Sequence, residues 1–160
     1  MIVIADTSPI SYLIRIGKIE VLPRLYQHIV IPAAVCDELK SPRAPQAVRD
    51  WTTRHPDWLE IRIPERQPDA ELMSADLDAG ERDAILLALE LGADELIIDD
   101  LDGRREAERR KLHFVGTLGV LRDAGRAGLL NLKDALARLR QTNFHVSEEL
   151  LDRLLRDEER

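Results

Sequence analysis

The sequence predicts an α/β domain built on a central, mostly parallel, twisted sheet with helices on both faces. Three observations carry that prediction. Short apolar runs rich in β-branched residues recur along the chain, and segments with apolar residues at helical spacing lie between them. Strands that alternate with helices form parallel sheets, because each helix returns the chain across the sheet and covers a face. No glycine-rich linker, internal repeat or low-complexity stretch divides the 160 residues, a length that suits one domain with a substantial core.

The elements follow in order. Ile2-Val3-Ile4-Ala5 is a buried strand. Asp6, Thr7 or Ser8 caps the next helix and Pro9 suits its first turn, with Leu13, Ile14 and Ile16 continuing the pattern to Gly17. Val21, Leu22 and Leu25 mark a second helix. Ile29-Val30-Ile31 is the next buried strand. Pro32 ends it and opens a helix through Val35 to Leu39, which Ser41-Pro42 stops. Residues 47–54 read as helical. Leu59, Ile61 and Ile63 alternate with polar residues, the pattern of an edge strand, closed by Pro64. Residues 69–73 form a short helix, and residues 79–91 a strong one closed by Gly92.

Leu96-Ile97-Ile98 is the third apolar strand, with Asp99-Asp100 at its end. Residues 104–111 are helical, Phe114-Val115 is a short strand, and residues 118–127 form another helix. Residues 132–139 and 150–155 are C-terminal helices, the last capped by Ser147. The expected organisation is a main domain over residues 1–130 and a helical extension over residues 131–160, packed on the same domain.

Composition narrows the function classes. Twenty-three Lys and Arg against thirty Asp and Glu give a formal charge of −7, which argues against a simple nucleic-acid-coating protein. Aromatics make up only 4 %, so the core must be aliphatic and base-stacking platforms are not expected. Cys36 is the single cysteine, which excludes an intrachain disulfide and a multi-cysteine zinc site. No apolar run approaches the ~20 residues of a membrane span. No basic region precedes the apolar start, so MIVIADTSPI is not read as a secretory signal. The expectation is a cytoplasmic protein with no membrane partner.

The acids are informative by position. Asp6 directly follows the first strand, and Asp99 and Asp100 directly follow another. In open parallel sheets the carboxyl ends of the strands line the ligand crevice, so separate strands deliver carboxylates to one edge. Glu38 sits late on the helix after the second strand, and Glu81 and Asp83 open the helix before the third apolar strand. Gathered carboxylates repel one another, and keeping them ionised calls for a cation. All-oxygen donors favour Mg²⁺ or Mn²⁺ over zinc. Each acid also has an ordinary reading: Asp6 and Asp99-Asp100 as helix or turn caps, Glu38 as a solvated helix residue, Glu81 and Asp83 as favourable charges at a helix N-terminus.

The order of these residues resembles a PIN domain. The segments that carry the resemblance are IVIADTSPI, IPAAVCDEL, LDAGERDAILLALELGA and LIIDDLDGRREAERRKLHFVGTLGVLRDAGRAGLL. Within that family the chain is similar to short bacterial and archaeal PIN-like proteins, many thought to be toxins of type II toxin–antitoxin pairs. The resemblance implies a three-layer α/β/α fold and a metal-dependent endoribonuclease that hydrolyses RNA phosphodiester bonds. It also implies a cognate antitoxin protein and a homodimer as partners. Asp6 matches the first acid of the family and Glu38 the second. The third is Glu81, the acid of the GE motif, or Asp83, which fits when DAILLA is laid against the corresponding helix of other PIN toxins. Two residues apart on a helix, these two point about 200° apart, so both cannot face one metal equally. The fourth is Asp99 or Asp100. The implied catalytic set is Asp6, Glu38, Glu81 and Asp99, holding one or two Mg²⁺ or Mn²⁺ ions that activate a water for in-line attack on phosphorus.

Substrate contacts must then come from other residues. Thr7 and Ser8 offer hydroxyls or N–H groups beside the first acid. Residues 103–126 hold seven basic against three acidic residues, and Arg104 and Arg105 directly follow the Asp99-Asp100 corner, within reach of a phosphate. His28, His55, His113 and His145 match no family catalytic position. Two other readings compete: a non-catalytic PIN-like binding module that uses the acidic crevice to hold a basic segment, and another Mg²⁺-dependent α/β phosphohydrolase.

Overall fold

The computed structural model describes residues 1–158. Five strands form one sheet in the order β3-β2-β1-β4-β5: β1 (Val3–Ala5), β2 (Ile29–Pro32), β3 (Leu59–Arg62), β4 (Glu95–Ile97) and β5 (Phe114–Val115). All four pairings are parallel, with Ile4 opposite Val30 and Leu96. The chain steps outward from β1 through β2 to β3, then crosses to the other side of β1 for β4 and β5. The topological switch point therefore lies between β1 and β4, where open α/β sheets gather their ligand sites.

Strand alternation sends residues to two faces. Val3, Ala5, Ile29, Ile31 and Ile97 join the larger core, which the first helices α1 (Thr7–Arg15), α2 (Val21–Tyr26) and α3 (Ala33–Lys40) cover. Also on that side are α4 (Gln46–Thr53), α8 (Thr117–Arg126), α9 (Leu132–Arg140) and α10 (Glu148–Glu158). Ile4, Val30, Leu96 and Ile98 face the opposite way. They pack on α5 (Ala70–Ser74), α6 (Ala79–Leu91) and α7 (Leu101–Arg109) through Leu72, Ile85 and Ala107. This is the three-layer α/β/α arrangement. Leu132, Leu136, Leu139 and Leu151 belong to the same core as β1 and β2, so α9 and α10 are built onto the sheet's own packing. Glu159 and Arg160, the end of the expected helical extension, lie outside the described residues. No described helix is long and apolar enough to cross a membrane.

Several boundaries shift by one to three residues from expectation, among them the end of β3 at Arg62, which leaves Ile63 outside the strand, and both ends of α7. Pro32 ends β2 and opens α3 as expected: its φ of −69° and ψ of 154° are extended, and it is the N-cap of α3. Helix α7 begins at Leu101, three residues early, because the Asp100 carboxylate accepts from the Gly103 N–H at 3.0 Å and caps it. By contrast, α6 has its expected bounds. Gly92 ends it in the left-handed region at φ 62°, which glycine adopts without side-chain strain.

Candidate active site at the carboxyl edge of the sheet

Asp6 stands at the centre of this edge. Its backbone N–H donates to the Ile97 carbonyl at 2.9 Å, tying the end of β1 to β4 at the switch point. It occupies the N-cap position of α1, yet its side chain makes no capping hydrogen bond. The residue is 3 % exposed, and Oδ1 is buried with no hydrogen-bond partner among the described residues. A buried, unpartnered carboxylate oxygen is costly unless something else meets it. Burial pushes the Asp6 carboxyl up to about 8, and the negative charges of Glu81, Asp78 and Glu38 add to the rise.

Glu38, in the last turn of α3, is held from two sides. The Thr7 hydroxyl on α1 donates to its Oε2, and the Gly80 N–H on α6 donates to Oε1 at 3.2 Å. Burial raises its carboxyl, and Asp78 and Asp37 add to that, while the two donors oppose it. A Cβ on Gly80 would stand 2.7 Å from both Glu38 carboxylate oxygens, so the absence of a side chain there is what lets α6 approach α3.

Glu81 forms a capping box with Asp78. Asp78 Oδ1 accepts from the Glu81 N–H at 2.8 Å, and Glu81 Oε2 accepts from the Asp78 N–H at 3.1 Å. Burial pushes the Glu81 carboxyl up to about 7, helped by the charges of Asp78 and Asp100. Asp83 points elsewhere. It lies 3.8 Å from Arg82 and lines a separate groove with Ile63, Pro64, Met73 and Leu86. Burial raises its carboxyl and Arg82 opposes the rise, with no acid of the central group involved. Of the two candidates for the third acid, the fold brings Glu81 and not Asp83 to Asp6.

The Asp99-Asp100 pair divides its work. Asp99 accepts from the Thr117 N–H at 2.8 Å and the Thr117 hydroxyl at 2.6 Å, with Arg104 Nη2 at 3.9 Å. Asp100 caps α7 and turns its charge toward Glu81. Arg104 donates from Nε to the Ile98 carbonyl at 3.0 Å, and its guanidinium lies 5.6 Å from the Phe114 ring centroid. Arg105 instead reaches Asp102 at 3.4 Å on the exposed face of α7. Thr7, Ser8 and Glu38 line a cleft of about 290 Å³ that also holds Arg15 and Arg43.

Two participants escaped the sequence reading. Asp78 acts on Asp6, Glu38 and Glu81 together, and its signal was the spacing Asp78…Glu81, a capping-box pattern before an apolar helix. Thr117 holds Asp99 from the start of α8, eighteen residues later in the chain, with no local signal to link them. Among the described residues, no three acids, histidines or cysteines stand in ligating geometry as placed. The chemistry of the donor set nevertheless fits a divalent cation. The donors are carboxylates, one central oxygen is orphaned, and two carboxyls are pushed far above their usual range by burial first and by neighbouring acids second.

Comparison with known proteins bears on this arrangement. A family model described as PIN domain matches residues 2–160. Among solved structures, the fold is similar to a PilT N-terminus domain protein from the hyperthermophilic archaeon Sulfolobus solfataricus P2. That match has a TM-score of 0.52 and 16 % identity, and it covers 92 % of this chain and 100 % of the other. At that identity the likeness speaks to fold. No curated protein matches the sequence.

Proposed function

The chain belongs to the PIN domain family, whose members are generally nucleases, and from that premise we propose that it is a divalent-metal-dependent endoribonuclease. The observation that carries the proposal is the Asp6 carboxylate, with an orphaned oxygen buried at the switch point and facing Glu38, Asp78 and Glu81. Asp6, Glu38 and Glu81 are the residues that would hold Mg²⁺ or Mn²⁺, with Asp99 and Asp100 on the β4 side of the edge. Such an ion supplies charge neutralisation of a phosphodiester and acidifies a water for attack on phosphorus.

The chain's own residues do the rest. Thr7 and Gly80 fix the Glu38 carboxylate between α1 and α6, so it cannot swing away when the site fills. Asp78 keeps Glu81 oriented through the capping box. Thr117 holds Asp99, and Arg104, anchored on the Ile98 carbonyl, would meet an anionic oxygen of the substrate.

Biologically, we assign the chain the toxin role in a type II toxin–antitoxin pair, acting on RNA and working with a cognate antitoxin and a second copy of itself. The order of Asp6, Glu38, Glu81 and Asp99 along the sequence supports this role through its likeness to PIN toxins. Two experiments test the reading. Purified chain should cut single-stranded RNA with Mg²⁺ or Mn²⁺ and stop on chelation; folded protein that leaves RNA whole under both ions would refute it. Expression in a bacterial host should arrest growth, and a small upstream DNA-binding gene product should relieve the arrest and co-purify.

A further inference from the structure

A cleft of about 500 Å³ leads away from Asp99 toward α10. Arg104 and Arg122 line it, together with Phe144, Leu118 and Leu150. Arg104 already serves the acid edge, but that edge does not account for Arg122, Phe144, Leu118 or Leu150. Arg122 sits on α8 and meets Asp123 through Nε at 3.4 Å. Asp99, the carboxylate that opens the cleft, is engaged by Thr117.

The cleft is built rather than incidental. A Cβ on Gly116 would overlap Arg104 Nη2 and stand 2.7 Å from Asp99 Oδ1. A Cβ on Gly119 would overlap Val115 Cγ2 and stand 3.9 Å from Arg122 Nη2. Gly116 thus leaves room for the Arg104 guanidinium, and Gly119, on the same lining, leaves room for the Val115 side chain. Phe144, also on the lining, is held by an edge contact to Tyr12, with ring centroids 4.9 Å apart at 88°.

Two arginine forks on one lining, that of Arg104 anchored on the Ile98 carbonyl, suit a phosphate. An aromatic ring with aliphatic neighbours suits the flat face of a base. Their juxtaposition beside Asp99 matches one nucleotide better than an acidic peptide, which would leave the apolar wall without a partner. We propose that this cleft seats a nucleotide next to the cut bond of single-stranded RNA, with Arg104 and Arg122 on its phosphate and Phe144 against its base. The assignment rests on the nuclease reading for the cut bond, but the binding it describes can be measured without cleavage.

The probe is a short fluorescent single-stranded RNA, titrated with the full chain while Ca²⁺ replaces Mg²⁺ to keep cleavage slow. Arg122→Glu should raise the Kd by about tenfold or more, since it removes a charge-assisted contact. It should also lower the log–log salt slope by about 0.7, the value for one phosphate on a single strand. Phe144→Leu keeps an apolar side chain but loses the ring, and should weaken binding by roughly fivefold. Arg66→Glu, on the separate groove with Ile63 and Pro64, should shift the Kd by no more than about twofold. Melting curves of each variant, with Arg122→Gln as the milder replacement, separate loss of contact from loss of fold.

RNA binding by folded Arg122→Glu equal to that of the unaltered chain would overturn the proposal. So would an oligoglutamate peptide that binds through Arg122 while RNA does not. The two readings fail differently. Metal-dependent cleavage that ignores Arg122 and Phe144 sinks the nucleotide seat and leaves the nuclease. RNA binding that needs Arg122, without cleavage under any divalent ion, does the reverse.

Discussion

Gly80 and Glu38 are fitted to one another across two helices. The Gly80 N–H donates to Glu38 Oε1 at 3.2 Å, and a single added carbon on Gly80 would stand 2.7 Å from both carboxylate oxygens. The contact fixes the distance between α3 and α6, and with it the place of one acid relative to another.

Gly80→Ala separates site geometry from stability. Alanine favours a helix over glycine by about 1 kcal/mol, so α6 itself should not suffer. The added methyl instead displaces the Glu38 carboxylate. Metal affinity, read by calorimetry with Mn²⁺, should fall by about tenfold or more, with little change in melting temperature.

The third acid can be decided by a pair of variants. Glu81 faces the charges of Asp78 and Asp100, whereas Asp83 pairs with Arg82 on another groove. Glu81→Gln should cost at least about tenfold in metal affinity and cleavage, and Asp83→Asn no more than about twofold. Parallel titrations and cleavage assays of the two proteins make the comparison.

Much of this arrangement is legible in the linear sequence, and the exceptions have physical causes. Helix α6 and strand β5 have their expected bounds because an apolar pattern, a glycine in the left-handed region and a turn mark them locally. Asp6 could be singled out because strand ends in a parallel sheet share one edge, whereas Glu38 and Glu81 lie on helices and are marked only by the resemblance to PIN domains. Which of Asp99 and Asp100 caps α7 could not be read, since adjacent carboxylates differ only in where the backbone turns. Asp78 has a local reading as a cap. Its effect on Asp6 and Glu38 arises only because α6 crosses the sheet edge, a tertiary fact. Arg105 follows Arg104, but one helical step of about 100° turns it to Asp102.

The metal-free chain should lose stability as pH rises. Folding lifts the Asp6 carboxyl from 3.8 to about 8 and Glu81 from 4.5 to about 7. Between those values the folded state holds protons that the unfolded chain has released, so the slope of stability against pH is negative across that window. Below it both states are protonated and the loss disappears. Thermal melts in chelator should therefore fall in midpoint from about pH 5 to about pH 8, and Asp6→Asn should flatten the trend and raise the midpoint at the upper end. Added Mn²⁺ should stabilise the unaltered chain more at the upper end than at the lower.

Thr117→Val tests the Asp99 anchor. It keeps the side-chain shape and the N–H bond while removing the hydroxyl donor at 2.6 Å. Leaving the half-buried Asp99 carboxylate short of one partner should cost about 1–2 kcal/mol in denaturant unfolding.

The central claim is that Asp6 anchors a metal-dependent nuclease centre. The most direct measurement compares RNA cleavage by the unaltered chain and by Asp6→Asn, both shown to be folded, with Mg²⁺ or Mn²⁺ and again in chelator. The account predicts cleavage by the unaltered chain only with metal, and a fall on the order of 100-fold or more in Asp6→Asn. Asp6→Asn cutting RNA as fast as the unaltered chain, or an unaltered chain that cuts equally well in chelator, would contradict it.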